Sequence, residues 1–291
     1  MSFLEGKAVV ITGAGGGLGA AYAKLAASFG AAIVVNDVDP DAAQAVVGAI
    51  EADGGRAIAQ PGDISQWDFA ETLVDACVDT FGTMTGFVNN AGILRPALIE
   101  DVTERDLRRM IEVNLIGTVA CAQAAARRLK ALGGGSVVNV ASGSQAGDIA
   151  LGGYAATKGA IASLTYSWAM ELRGTGVRMN ALSPLAETAM AGVNAHLMAI
   201  QSQNREVHYA ALPPAEANAP VVAYLLCDDA AGINGQVIRI AGRQLSLVTH
   251  PTIASPVLED DWTFEKVADA FATTLSAKQH KLGLAMPEDG K

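Results

Sequence analysis

Tyr154 and Lys158 stand four residues apart in a stretch that reads as helix, so their side chains share one face. A cation held beside a phenol favours the phenolate, moving a tyrosine from its reference pKa of about 10 toward working pH and making it a proton acceptor. Ser142, twelve residues before Tyr154, supplies a hydroxyl suited to bind the same substrate oxygen and hold it in line. Ser144 is near enough in sequence to compete for that task. Together these residue types suit moving a proton on and off an oxygen of a bound substrate.

A second group of residues suits a dinucleotide. Val9-Val10-Ile11-Thr12-Gly13-Ala14-Gly15-Gly16-Gly17-Leu18-Gly19 reads as a buried strand, a glycine-rich turn and the start of an Ala-rich helix. Glycines permit the tight turn, a close approach of pyrophosphate to backbone and close packing of helix on strand, and the helix N-terminus offers free N–H groups. Asp37 ends the next strand, 18 residues beyond Gly19, where a carboxylate accepts from both ribose hydroxyls and repels a 2′-phosphate. The glycine loop and the residue after Asp37 supply no Arg or Lys, which favours NAD over NADP. Asp39, more naturally than Asp37, caps the helix that begins near Pro40.

The elements that must position these groups follow from the pattern of apolar runs. Short β-branched runs at 7–12, 31–36, 56–60, 86–89, 136–141, 177–182 and 236–240 alternate with helix-like stretches at 17–30, 40–53, 66–81, 104–132, 153–173 and 214–227. The runs are continuously apolar, as strands covered on both faces should be. The expectation is an α/β fold, a doubly wound parallel seven-stranded sheet of Rossmann-like type with helices on both faces. Residues 1–245 read as one dinucleotide-binding catalytic domain with a helical flap over the strand ends at 187–215. Residues 246–291 read as a C-terminal extension with an amphipathic helix at 262–275.

Composition excludes several classes. Thirty acidic against 20 basic residues give a formal charge of −10, which argues against a grip on nucleic acid or an anionic membrane. Cys77, Cys121 and Cys227 have neither CxxC nor His-paired spacing, so neither a disulfide framework nor a metal site is expected. No run approaches the roughly 20 apolar residues a membrane span needs, and the N-terminal strand leaves no room for a cleavable leader. A cytoplasmic protein is expected.

Set in order, Thr12-Gly13-x-x-x-Gly17-x-Gly19, Asp63-Ile64, Asn89-Asn90-Ala91-Gly92, Asn114, Ser142 and Tyr154-x-x-x-Lys158 resemble the short-chain dehydrogenase/reductase family over roughly residues 5–245. The resemblance implies an NAD-dependent oxidoreductase with Asn114, Ser142, Tyr154 and Lys158 as its catalytic set. Cofactor contacts are implied at Thr12, Gly13, Gly17, Leu18, Gly19, Asp37, Asp63, Ile64, Asn90, Ala91, Gly92, Tyr154, Lys158, Pro184 and Thr188. It selects Ser142 over Ser144, gives Lys158 a second role on the nicotinamide ribose, and gives Asn114 a water that links Lys158 to solvent. After the sixth strand the family reads Asn, Pro-Gly, Thr; here Asn180, Pro184 and Thr188 are kept and Leu185 replaces the glycine, where its side chain would narrow the nicotinamide end of the pocket.

The stretch 234–244 and the tail around Trp262-Thr263-Phe264-Glu265 look similar to the hydroxyacyl-CoA dehydrogenase subgroup, which implies a bulky apolar substrate such as a 3-hydroxyacyl-CoA. Met190, Val193, Leu197 and neighbours in the flap suit such a substrate, and Arg95, Arg205 and Arg243 are the candidate cations for CoA phosphates. A free hydroxysteroid or an aryl or alicyclic secondary alcohol is the alternative. A non-catalytic NAD(H) sensor is the alternative of another class, disfavoured by the presence of Ser142, Tyr154 and Lys158. Family resemblance further implies a homodimer or homotetramer through the two long helices at 104–132 and 153–173.

Overall fold

Strands form where β-branched residues run together, and the inner ones are buried on both faces because helices cover the sheet from either side. The computed structural model describes residues 3–186, 212–280 and 282–285. Its strands are β1 (Ala8–Ile11), β2 (Ala32–Val35), β3 (Arg56–Ala59), β4 (Gly86–Asn89), β5 (Gly135–Val140), β6 (Val177–Leu185), β7 (Val237–Ala241) and β8 (Gln244–Val248). They make one sheet in the order β3-β2-β1-β4-β5-β6-β7-β8. All neighbours are parallel except β7 and β8. β1 pairs with β2 on one side and β4 on the other, so the winding reverses there and a crevice opens beyond the carboxyl ends of β1 and β4.

Side chains alternate between two apolar layers. Val9, Ile11, Ile33, Val35, Val138, Leu182 and Ile240 face one layer with α1 (Gly17–Ser28), α2 (Pro40–Ala52) and α7 (Ala219–Leu226). Val10, Val34, Phe87, Val137 and Met179 face the other with α3 (Phe69–Phe81) and α5 (Thr118–Ala131). Helix α6 (Gly152–Glu171) closes this second face through Ile161 and Ala162 against Ala141, Ala181 and Val237. Asp39 caps α2, accepting from the Asp41 and Ala42 amides at 3.0 and 3.2 Å, with Pro40 in the first turn.

Three features depart from the sequence expectation. The sheet has an eighth strand where seven parallel ones were expected, because Gly242, at φ +60°, lets the chain reverse and pair Gln244 with Ala241. The sheet therefore continues through Val248, past residue 245. Strand β6 also runs on to Leu185, which pairs with Ala241, where a glycine would weaken the strand. The single helix expected over 104–132 is three pieces, α4 (Glu104–Met110), a π-helical stretch Ile111–Gly117 and α5. Beyond β8 lies α8 (Phe264–Thr273), opened by a Thr263 cap.

Leu182 is fully buried in β6, at the centre of one layer. Truncation to alanine removes packed methyl groups without full collapse around them, so Leu182→Ala should cost about 2–5 kcal/mol, read as a lower urea midpoint at unchanged slope. An unchanged midpoint would show that this layer is not tightly packed.

Candidate active site

The crevice beyond β1 and β4 is a cleft of about 830 Å³, in the range of small-molecule and cofactor sites. Gly13, Gly17, Leu18, Asp37, Asp63, Ile64, Asn90, Ala91 and Gly92 line its nucleotide end, and Ser142, Tyr154, Lys158 and Pro184 line the other. Thr12, Gly19 and Asn114 stand behind its walls. Thr188, the flap over 187–215 apart from its last residues, and Arg205 lie outside the described residues.

Thr12 is buried and works as a clasp. Its hydroxyl donates to the Val88 carbonyl at 3.4 Å and accepts from the Asn90 and Ala91 amides, both at 3.1 Å. The Asn90 side chain returns the tie, donating to the Thr12 and Gly13 carbonyls at 3.0 and 2.9 Å. The glycine loop and the loop after β4 are thereby one unit. A Cβ on Gly19 would collide with the Gly13 carbonyl and with the Asn90 amide, so Gly19 permits this closeness and does not itself face the cleft. Gly13 turns the chain at φ +61°.

The nucleotide end fits a dinucleotide. Gly16 caps α1 without any side-chain hydrogen bond and the first turn holds no acid, leaving amides and the positive helix end available to a pyrophosphate. Asp37 lines the cleft at the end of β2; its Oδ2 accepts from the Gly15 amide at 2.9 Å and its Oδ1 from the Asp39 amide at 3.2 Å. Each oxygen retains a lone pair for a ribose hydroxyl. Asp63 is more committed than its sequence context suggests: Ser65 donates its amide to Oδ1 and Arg109 bonds Oδ2 at 2.9 Å. Arg109 also lines the cleft. Although partial burial raises it, the hydrogen bonds from Arg109 and Ser65 prevail and hold the Asp63 carboxyl below its usual range. Nothing in the spacing of Arg109 signalled this contact, since it pairs across 46 positions.

At the other end, Lys158 is buried and its Nζ donates to the Val140 carbonyl at 2.7 Å. Nζ lies 5.6 Å from the centre of the Tyr154 ring. Gly92 sits between them and Asn114: a Cβ there would stand 3.3 Å from Asn114 Oδ1 and 3.6 Å from Lys158 Nζ. Asn114 is fully buried in the π-helical stretch and grips the backbone of Ile93 twice, accepting from its amide at 2.7 Å and donating to its carbonyl at 2.9 Å. It also donates to Thr157 on α6 at 3.2 Å. Asn114 therefore fixes the loop beside Lys158, and the extra residue of the π turn is what brings its side chain there. The Ser142 hydroxyl accepts from the Ser144 amide at 3.2 Å, and both serines line the cleft.

Burial shapes the titration of this end. Desolvation pushes Tyr154 up to about 12, against the opposing pull of a hydrogen bond with Ser142, and pushes Lys158 down to about 8. The lowering of Tyr154 by Lys158 anticipated from their spacing does not appear: burial sets the direction, and the Lys158 ammonium is turned to the Val140 carbonyl. Leu185, in place of the family glycine, lines the cleft as anticipated, and Leu94, Leu151 and Leu212 add apolar surface that the sequence did not single out. Among the described residues there is no group of three or more acids, histidines or cysteines placed to hold a metal, and no helix long and apolar enough to cross a membrane.

A family profile described as short chain dehydrogenase matches residues 7–197. An uncharacterised oxidoreductase of Methylorubrum extorquens is 40% identical over 252 residues, covering 83% of this chain and 99% of that protein. The cis-4-hydroxycyclohexanecarboxylate dehydrogenase of Sinomonas cyclohexanicum is 35% identical over 240 residues, 81% and 95% of the two chains. The crystal structure of a short chain dehydrogenase from Mycobacterium avium superposes with a TM-score of 0.83 at 31% identity, covering 94% of this chain and 96% of that one.

The buried ammonium has a measurable cost. Lowering a lysine from 10.5 to about 8 means that below pH 8 the folded protein holds a proton less readily than the unfolded chain, a penalty of roughly 3 kcal/mol. The penalty fades as pH rises from 8 to 10.5 and the folded lysine sheds its charge. Lys158→Met should therefore unfold at a higher temperature than the parent at pH 7, by a margin that shrinks above pH 8. A margin that is negative at pH 7 or independent of pH would contradict this reading.

Proposed function

The chain belongs to the short-chain dehydrogenase family, and from that premise we propose that it interconverts a free, ring-bearing secondary alcohol and its ketone with NAD. Family members of this kind are oxidoreductases that act on secondary alcohols with a nicotinamide cofactor. The observation that carries the reading is the convergence of Ser142, Tyr154 and Lys158 on one cleft whose far end is the glycine loop and Asp37. A fold kept only to sense NAD(H) would need no such trio.

A nicotinamide cofactor held in this cleft would supply the hydride acceptor for the carbinol carbon in oxidation and the hydride donor in reduction. Tyr154 receives the alcohol proton through its phenolic oxygen, and in the reverse direction donates it to the ketone. Ser142 donates a hydrogen bond to the same oxygen and fixes its direction toward Tyr154. Lys158, charged below about pH 8, stabilises the phenolate, which the apolar surroundings otherwise disfavour. Asn114 positions the loop at 92–93 and so keeps Lys158 in place. Gly13, Gly17, Asn90, Ala91 and Gly92 give backbone to the cofactor, Asp37 the ribose contact, Asp63 and Ile64 the adenine wall, and Pro184 and Thr188 the nicotinamide end. Asp37 with Val38 after it and no cation following supports NAD over NADP.

The choice of a free alcohol over a CoA ester rests on the cations. Lys158 and Arg109 are the Lys and Arg residues among those described along the cleft, and Arg109 is held by Asp63 at the adenine end. Arg95 turns to the Leu94 carbonyl, and Arg243 is at the tip of the turn between β7 and β8. The 35% identical relative is named for a ring alcohol. We further propose residues 1–245 as the catalytic unit, with the extension over 246–291 completing β8 before it leaves the sheet, and a homodimer or homotetramer through α4, α5 and α6.

With a panel of cyclic secondary alcohols and NAD, Tyr154→Phe should lose at least about 100-fold in kcat; full turnover by that variant would remove Tyr154 from the mechanism. Asp37→Ser should narrow the preference for NAD over NADP by about tenfold or more, measured as the ratio of kcat/KM values. A ratio unmoved by the substitution would take the ribose contact away from Asp37.

A further inference from the structure

Arg109 reaches from the last turn of α4 to the loop that follows β3. Its Nη2 donates to Asp63 Oδ2 at 2.9 Å and its Nη1 to Ser65 Oγ at 3.0 Å, with Glu112 of its own helix a longer contact at 3.5 Å. The backbone of that loop does not depend on the guanidinium. Buried Asn36 donates its side-chain amide to the Gln60 and Gly62 carbonyls at 3.0 and 3.1 Å, Gly62 donates its own amide to the Asp37 carbonyl at 2.9 Å, and Gln66 donates to the Asp63 carbonyl at 3.1 Å. Ile64 is buried beneath the loop against Gly117, where a Cβ would stand 2.8 Å from Ile64 Cδ1.

What those ties leave to be set is the Asp63 side chain, 30% exposed and lining the cleft together with Arg109. The Ser65 amide holds Oδ1 at 2.9 Å. One bond of this kind leaves the carboxylate plane free to turn about it; the charged bond from Arg109 to the other oxygen sets the plane. Each oxygen then accepts one hydrogen bond and keeps the capacity for another. Arg109 is not itself placed to take an anion, since Nη1 and Nη2 are turned to Ser65 and Asp63. An acceptor fixed in a nucleotide cleft discriminates bases by their donors: adenine carries an exocyclic amino group, and hypoxanthine carries an oxygen at the same position.

We propose that Arg109 is a positioning residue for base recognition: it sets the plane of the Asp63 carboxylate so that this group accepts from the adenine amino group, and the site thereby chooses adenine over hypoxanthine. The proposal rests on the NAD-dependent reading above and assigns the residue that stands behind its adenine contact. Arg109 acts through Asp63 and on affinity. Because Asn36 and Ile64 anchor the loop independently, its removal frees a side chain and leaves the loop in place.

The test titrates NADH and its deaminated form, reduced nicotinamide hypoxanthine dinucleotide, into the protein by nicotinamide fluorescence, which needs neither substrate nor turnover. The parent should bind NADH at least about fivefold more tightly than the deaminated form. In Arg109→Met the two affinities should come within about twofold of each other, with Arg109→Lys between, since a lysine keeps the charge and loses the fork that reaches Asp63 and Ser65 together. Lost positive charge near the pyrophosphate weakens both forms alike, so the ratio carries the test. Asp63→Ala should lose the preference too, and adding Arg109→Met to it should change the ratio no further. A parent without preference, a preference kept in Arg109→Met, or a further fall in the double variant would each overturn the proposal. Should Arg109→Met not fold, a parental ratio in Arg109→Lys overturns it and an intermediate one supports it. A parent that binds neither form removes the cofactor reading and this proposal with it, whereas one that binds both, with a ratio unmoved by Arg109→Met, removes the role of Arg109 and leaves that reading standing.

Discussion

Lys158 is a cation almost wholly removed from water, held by one hydrogen bond to the end of β5, and much of the surrounding architecture follows from keeping it there. An ammonium in such a place needs acceptors and room. Val140 supplies the acceptor because β5 ends one residue before the chain turns toward Ser142. Gly92 supplies the room, and a side chain at that point would press on both Lys158 and Asn114. Asn114 in turn reaches the loop only because the helix between α4 and α5 opens into a π turn. Burial disfavours the charged form of this lysine, a pattern common where a buried group serves chemistry.

The two halves of the cleft are mechanically joined. Thr12 and Asn90 exchange hydrogen bonds between the loop after β1 and the loop after β4, the pair of strands at which the winding reverses. The same loop after β4 continues through Gly92 to Ile93, which Asn114 holds. Hydrogen bonds and the loop after β4 therefore link the glycines of the cleft wall to the segment beside the buried lysine. Residues assigned by motif to cofactor contact divide accordingly into those that face the cleft, such as Gly13, Gly17 and Asp37, and those that set the distance between its parts, such as Thr12 and Gly19.

Much of this was legible in the sequence, for identifiable reasons. The strands announced themselves because a sheet covered on both faces leaves no polar alternation, and Tyr154 with Lys158 because a helix turns their spacing into a shared face. Strand β8 escaped because Leu245 and Leu247 are exposed, so its alternation marks an edge strand and not a core one. The π turn escaped because its extra residue leaves the apolar period of 104–132 nearly intact. The commitment of Asp63 to Arg109 joins residues far apart in the chain. The titration of Tyr154 depended on burial, which spacing does not report.

The proposed mechanism requires Tyr154 to be a usable base although burial raises it to about 12. Tyrosinate difference absorbance, followed through a pH titration with and without saturating NAD, reads that ionisation directly. With NAD, one tyrosine of the parent should ionise below the ordinary value of about 10, and the same step should be absent from Tyr154→Phe. A titration in which NAD leaves every tyrosine at or above its ordinary range, or in which Tyr154→Phe retains the early step, would contradict that mechanism.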